Sequence, residues 1–173
     1  PVRRYLSPAQ ISKIADNAIK AGKDVLKAAD KHAGMIATLT AITNPGDELV
    51  VFEPFYENYG PDYILCGCTR KLVSLCPPDW SFDREELRRA FNSKTKAIII
   101  NTPNNPTGRV FSVEELTFIA ELCQEHDALC ITDEIYEHIV YDGLKSASPA
   151  EVEPALIHRT LTVNGAVSAR ERR

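Results

Sequence analysis

The 173-residue sequence predicts an α/β domain in three layers, with helices on both faces of a mostly parallel sheet. Three observations carry that prediction. Short apolar runs rich in β-branched residues, such as Ala97-Ile98-Ile99-Ile100 and Ala128-Leu129-Cys130-Ile131-Thr132, read as strands buried on both faces. Amphipathic stretches of helical period lie between such runs. Strand and helix alternate along the chain, so right-handed crossovers must bring successive strands side by side.

Taken in order, Ser7-Pro8-Ala9-Gln10 opens a helix, with Ser7 as cap and Pro8 at the first helical position. Ile11, Ile14, Ala15, Ala18 and Ile19 give it an apolar stripe that stops at Gly22. A second helix spans Met35 to Ile42 and ends at Asn44-Pro45-Gly46-Asp47. Leu49 to Glu53 is a strand closed by Pro54, and Phe55, Tyr56 and Tyr59 lead into another helix. Leu72 to Leu75 forms a short strand, followed by a loop over Cys76-Pro77-Pro78-Asp79-Trp80. Asp83 caps the next helix with Glu86 as capping-box partner, and Leu87, Ala90 and Phe91 face inward. The run 97–100 is a strand that Asn101-Thr102-Pro103-Asn104-Asn105-Pro106-Thr107-Gly108 cannot continue. Ser112 then caps a helix with Glu115 as its partner, and Leu116, Ile119, Ala120 and Cys123 form the inner face. Thr160 to Val163 is the last strand, followed by Asn164-Gly165.

Composition narrows the function classes. A net charge of -4 with no basic stripe disfavours nucleic-acid binding, and the Arg-rich end at Arg170, Arg172 and Arg173 reads as a solvated tail. No apolar run has the length of a membrane span, and no signal peptide is visible. The chain begins at Pro1, so an upstream targeting segment would not be seen. Five cysteines without a C-x-x-C pair point to free thiols in a reducing compartment, cytoplasmic or organellar. Cys66 and Cys68 would share one face of an extended segment. Cys123 and His126 share a helix face, but no further ligand pair completes a tetrahedral metal site. A nicotinamide dehydrogenase is disfavoured, because no G-x-G-x-x-G follows the early strands.

In an open parallel sheet, ligands bind beyond the carboxyl ends of the strands. Two strand ends here offer an amide, a carboxylate and a phenol, from Asn105, Asp133 and Tyr136, to one crevice. By spacing alone the loop also fits an ordinary strand-to-helix turn, Asp133 a helix cap, and Tyr56 and Tyr136 core aromatics.

Asn104-Asn105-Pro106-Thr107-Gly108, followed by Ile131-Thr132-Asp133-Glu134-Ile135-Tyr136-Glu137-His138, resembles the large domain of class I/II, fold-type I pyridoxal-phosphate aminotransferases. The resemblance runs from about Met35 to Gly165 and is strongest to the kynurenine and aspartate-type branch. It implies a partial large domain over 34–165, an N-terminal helical segment and junction over 1–33, and a divergent tail over 166–173. It implies pyridoxal 5'-phosphate as cofactor, with Asp133 beside the pyridine nitrogen, Asn105 and Tyr136 on the ring's 3'-oxygen, and the ring of Tyr56 stacked on the cofactor. The expected activity of a full-length member is amino-group transfer between an amino acid and a 2-oxo acid, by a homodimer.

The chain departs from the family pattern at two places. Asp30-Lys31-His32 stands where a Gly-Ala-Thr-like turn would cradle the cofactor phosphate. Ser168 stands where the family's lysine would hold the cofactor covalently, and a hydroxyl forms no imine with an aldehyde. Lys145, the nearest lysine in sequence, reads as a surface residue. The expectation is therefore a partial or alternatively spliced form, inactive for want of the reacting amine. Two alternatives remain beside it: a relative of the β-lyases or aminocyclopropane-carboxylate synthases, and a non-catalytic cofactor-binding or subunit-interaction fragment.

Overall fold

The computed structural model describes residues 31–164, with side chains undescribed at 31–33 and 155. The helix expected from Ser7, the junction residue Asp30, and Ser168 lie outside the described residues. The chain runs α1 (Lys31–Ile42), β1 (Glu48–Glu53), α2 (Tyr59–Leu65), β2 (Thr69–Ser74), α3 (Arg84–Ala90), β3 (Thr95–Asn101), α4 (Val113–Glu125), β4 (Leu129–Asp133) and α5 (Pro149–Val152). A 3₁₀ turn at Pro154–Leu156 leads to β5 (Thr160–Val163). The five strands lie in the order β2-β1-β3-β4-β5, and every pairing is parallel. Among the described residues, no helix is long and apolar enough to cross a membrane.

Strand alternation divides the core into two layers. Val50, Phe52, Ile98, Ile100 and Cys130 pack on one face against Leu87 of α3 and Leu116, Ile119 and Leu122 of α4. Leu49, Val51, Ala97, Ile99, Leu129 and Ile131 pack on the other against Met35 and Leu39 of α1 and Tyr59 and Tyr63 of α2. That is the expected three-layer arrangement. It explains why the central strands read as continuous apolar runs, since both faces are covered.

The element limits differ from the sequence expectation where pairing, not composition, sets them. Helix α1 is already helical at Lys31, ahead of the expected Met35. Strand β2 begins at Thr69 and not at Leu72, because its register with β1 starts at Glu48↔Thr69. Its first residues, Thr69 and Arg70, are exposed, as suits an edge strand. The capping box at Asp83 is not formed. Asp83 accepts from the N–H of Glu85 at 2.8 Å, while the Glu86 carboxylate turns away to accept from the N–H of Ser74 at 3.0 Å. A donor at the end of β2 has outcompeted the local partner. At Ser112 both halves of the box are present.

Cys66 and Cys68 do not sit in an extended segment. Helix α2 ends in a Schellman motif: Cys68 N–H donates to the carbonyl of Tyr63 at 2.8 Å, and Gly67 N–H to that of Ile64 at 3.0 Å. Gly67 has φ +70°, and a Cβ there would approach Pro45 Cβ to 3.2 Å and Pro45 Cα to 3.3 Å. Gly46, at φ +92°, would meet nothing within 4 Å. Gly67→Ala combines backbone strain with a clash and should cost about 2–3 kcal/mol, whereas Gly46→Ala should cost only about 1 kcal/mol. Urea midpoints of the two variants at unchanged slope check this ordering, and equal midpoints would refute it.

Candidate functional site

The site begins with a parity argument. Asn101 ends β3, Asp133 ends β4, and the two are register partners, so their side chains share the face of Ile99 and Ile131. Asn101 is buried and uses both ends of its amide. Its Nδ2 donates to the Asp133 carbonyl at 3.0 Å, and its Oδ1 accepts from the N–H of Asn105 at 2.7 Å. The loop after β3 is thereby tied to the end of β4.

The loop is also fixed internally. Gly108 N–H donates to the Asn104 carbonyl at 2.7 Å, and the Thr107 hydroxyl donates to Asn104 Oδ1 at 2.8 Å. Thr102 Oγ1 accepts from the N–H of Phe111 at 3.1 Å. Gly108 adopts φ +74°, which an Asn-Pro-Thr-Gly turn supplies without strain. Rigid placement of a polar loop at a strand end is what a binding site requires.

Asp133 has no exposed surface. Its Oδ2 accepts from the phenol of Tyr59 in α2, and Oδ1 accepts from the N–H of Ile135 at 3.4 Å. Acceptance on both oxygens is the pattern of a carboxylate. Burial, and then the neighbouring Asp133, push the Tyr59 phenol far above its ordinary range, so it remains the donor. The alternative role of Asp133 as a helix cap is corrected. The chain turns through 134–139, with Glu137 N–H on the Glu134 carbonyl and Ile139 N–H on the Tyr136 carbonyl, and the next helix is α5.

Tyr56 is half-buried beside this pair. Its ring meets Tyr59 edge-on, with centroids 5.7 Å apart, and its hydroxyl accepts from Asn58 Nδ2 at 2.9 Å. Asn105 and Tyr136 line a separate cleft of about 270 Å³, together with Pro103, Pro106, Ile139 and Tyr141. The four expected site residues therefore fall into two pairs: Tyr56 and Asp133 gathered around Tyr59, Asn105 and Tyr136 facing the cleft. Asn101 connects the two groups.

Sequence reasoning missed Tyr59 and Asn101 as site residues. Asn101 had a signal, being the last residue of a strand whose parallel neighbour ends in Asp133. The contact of Tyr59 joins segments far apart in sequence and has no local signature. Lys145 is exposed. Cys123 is buried and the ring of His126 packs on Phe91 at 5.5 Å. A larger cleft, of about 620 Å³, lies at the N-terminus of α4 among Asp79, Arg84 and Glu114 and includes none of the four residues. No group of His, Cys, Asp and Glu that could hold a metal occurs among the described residues.

The residue types at these strand ends are those that suit a planar heteroaromatic ring, set in two neighbouring groups. A buried carboxylate suits a protonated ring nitrogen, an amide and a phenol suit a ring oxygen, and an aromatic side chain offers a stacking face.

A family model described as aminotransferase class I and II matches residues 8–166. Human kynurenine–oxoglutarate transaminase 1 is 40% identical over 155 residues, covering 83% of this chain and 36% of the relative. The solved structure of Bna3p from Saccharomyces cerevisiae superposes with a TM-score of 0.74 at 39% identity, covering 79% of this chain and 34% of that one. N-succinyldiaminopimelate aminotransferase from Mycobacterium tuberculosis gives 0.71 at 39% identity, covering 78% and 35%. The chain thus spans about a third of the length of the curated relatives it matches.

Tyr59→Phe removes the donor to a buried carboxylate and should cost about 1–3 kcal/mol. In the folded chain the Tyr59 phenol is held protonated, whereas in the unfolded chain it ionises near pH 10. Above about pH 10 the unfolded state therefore binds fewer protons, and stability falls with rising pH. That alkaline increment should shrink in Tyr59→Phe. Urea unfolding of both proteins at pH 8 and at alkaline pH measures it, and parallel pH profiles would refute the assignment.

Proposed function

Because the chain belongs to the class I and II aminotransferases, a family that uses pyridoxal 5'-phosphate, we propose that its strand ends form the cofactor-facing half of a transaminase site. The longer protein would exchange an amino group between an amino acid and a 2-oxo acid. The observation that carries this reading is the buried carboxylate of Asp133, held by Tyr59 at the strand end adjoining Asn101.

Pyridoxal phosphate, when bound, supplies an electron sink for the bond broken at the amino acid's α-carbon. Asp133 is the residue that would keep a proton on the ring nitrogen, since a buried negative charge favours the protonated form. Tyr59 would set the direction of that carboxylate. Asn105 and Tyr136 would donate to the ring oxygen, and Asn101 would hold Asn105 in place through its backbone N–H. Tyr56 would offer its ring as the stacking face.

The family match ends at residue 166, and Ser168 follows where the resemblance places the reacting lysine. A serine hydroxyl neither forms an imine nor relays a proton well at neutral pH. The reading is therefore of a chain that binds the cofactor reversibly and does not turn over by itself.

Titration with pyridoxal phosphate, followed by absorbance before and after borohydride, tests this. Reversible binding is expected, weakened about tenfold or more in Asp133→Asn, where the charge facing the ring is lost. Ser168→Lys should convert reversible binding into fixation at that position. Borohydride fixation of the unaltered chain at one mapped lysine would overturn the assignment of the missing amine. Undiminished affinity in a folded Asp133→Asn variant would overturn the half-site.

A further inference from the structure

Away from these strand ends, two thiols flank the turn that closes α2. Cys66 is the C-cap residue of the helix, Gly67 follows in the left-handed conformation, and Cys68 precedes β2. Both cysteines are half-buried. In an extended strand, side chains at this spacing run parallel and stay apart. Here the positive φ of Gly67 reverses the chain, and the Cys68 sulfur folds back to 3.8 Å from the Cys66 carbonyl oxygen. That carbonyl belongs to the residue carrying the other thiol, so rotation about the side-chain bonds alone can change the sulfur-to-sulfur approach. The backbone is held while this happens. The N–H of Cys66 donates to the Asp62 carbonyl at 3.2 Å and that of Cys68 to the Tyr63 carbonyl, and the Gly67 carbonyl accepts from the N–H of Gly46 at 2.9 Å.

The two thiols are not equivalent. Burial raises the Cys68 thiol, which keeps it protonated at neutral pH. Each sulfur has a threonine hydroxyl beside it: that of Cys66 lies 3.6 Å from Thr40, and that of Cys68 meets Thr43. The other cysteines differ in setting: Cys123 and Cys130 are buried in the core, and Cys76 is exposed.

We propose that Cys66 and Cys68 form a dithiol redox site that closes to an intramolecular disulfide by exchange with a small disulfide such as glutathione disulfide. The Cys66 thiolate attacks one sulfur of the small disulfide, forming a mixed disulfide and releasing one glutathione thiolate, which takes up the proton lost by Cys66. The Cys68 thiol then loses its proton and attacks the Cys66 sulfur, and the second glutathione leaves as a thiolate that is protonated in turn. The protein pair loses two electrons and two protons, and one small disulfide becomes two thiols. A ring closed over a single intervening residue is strained, so it re-opens readily under reducing conditions. The site lies at one end of α2, and Tyr59, which holds Asp133, begins the other.

The full chain, incubated with glutathione disulfide and digested after blocking free thiols, supplies the test. The expected product is a peptide spanning Cys66 and Cys68 that has lost two hydrogens and carries no glutathione. Cys76 in the same sample should carry glutathione. Cys68→Ser should retain a glutathione adduct on Cys66, because the resolving thiol is gone. Separate glutathione adducts on Cys66 and Cys68 of the unaltered chain, or no reaction at either while Cys76 is modified, would overturn the proposal. Circular dichroism of the serine variant guards against misfolding, and the product pattern of the unaltered chain decides the question if that variant fails to fold.

Discussion

A carboxylate with no access to water has to be met by donors, and that single requirement organises the strand-end region. Asp133 ends a strand in which every residue is buried, so solvent cannot supply the donors. The phenol of Tyr59 does so from α2, across the interior. Helix α2 can deliver it because its opening residue follows the short segment that leaves β1. Tyr63, one helical turn on, lies in the same core layer as Val51 and Ile131, which fixes the helix against the sheet. Packing of an apolar face and satisfaction of a polar group are served by the same seven-residue element.

The topology explains why these groups meet at one place. The chain passes outward from β1 to β2, then returns across β1 to β3, so β1 and β3 are neighbours whose onward connections diverge. A crevice opens at such a reversal, beyond the carboxyl ends of the strands. The segment with Tyr56 leaves from one side of it and the loop with Asn105 from the other. The final strands of the order then bring Asp133 alongside. The neighbouring cleft has an apolar rim at Ile139 and Tyr141, both exposed in the chain as described.

Much of this was legible in the sequence, and the exceptions have physical causes. The middles of β1, β3 and β4 were readable because burial on both faces leaves mostly apolar side chains. The start of β2 was not, because Thr69, Arg70 and Lys71 gain their strand conformation from pairing with β1 rather than from composition. Ser112 and Glu115 formed the box their spacing implies, whereas Glu86 left Asp83 for a backbone N–H at the end of β2. Local chemistry prevails when no distant partner competes. Asp133, Asn105, Tyr136 and Tyr56 could be named from motifs. Their division into two groups could not, since it depends on side-chain contacts between separate segments.

The amide of Asn101 has a chemical consequence of its own. It gives a hydrogen to the Asp133 carbonyl on one side and receives one from the Asn105 backbone on the other. A carboxylate of the same shape can only receive. An aspartate in place of Asn101 would thus set oxygen against oxygen at the Asp133 carbonyl and place a second negative charge close to the first. With no change of size, exchange of one nitrogen for one oxygen would loosen the loop from β4 and alter the electrostatics of the crevice.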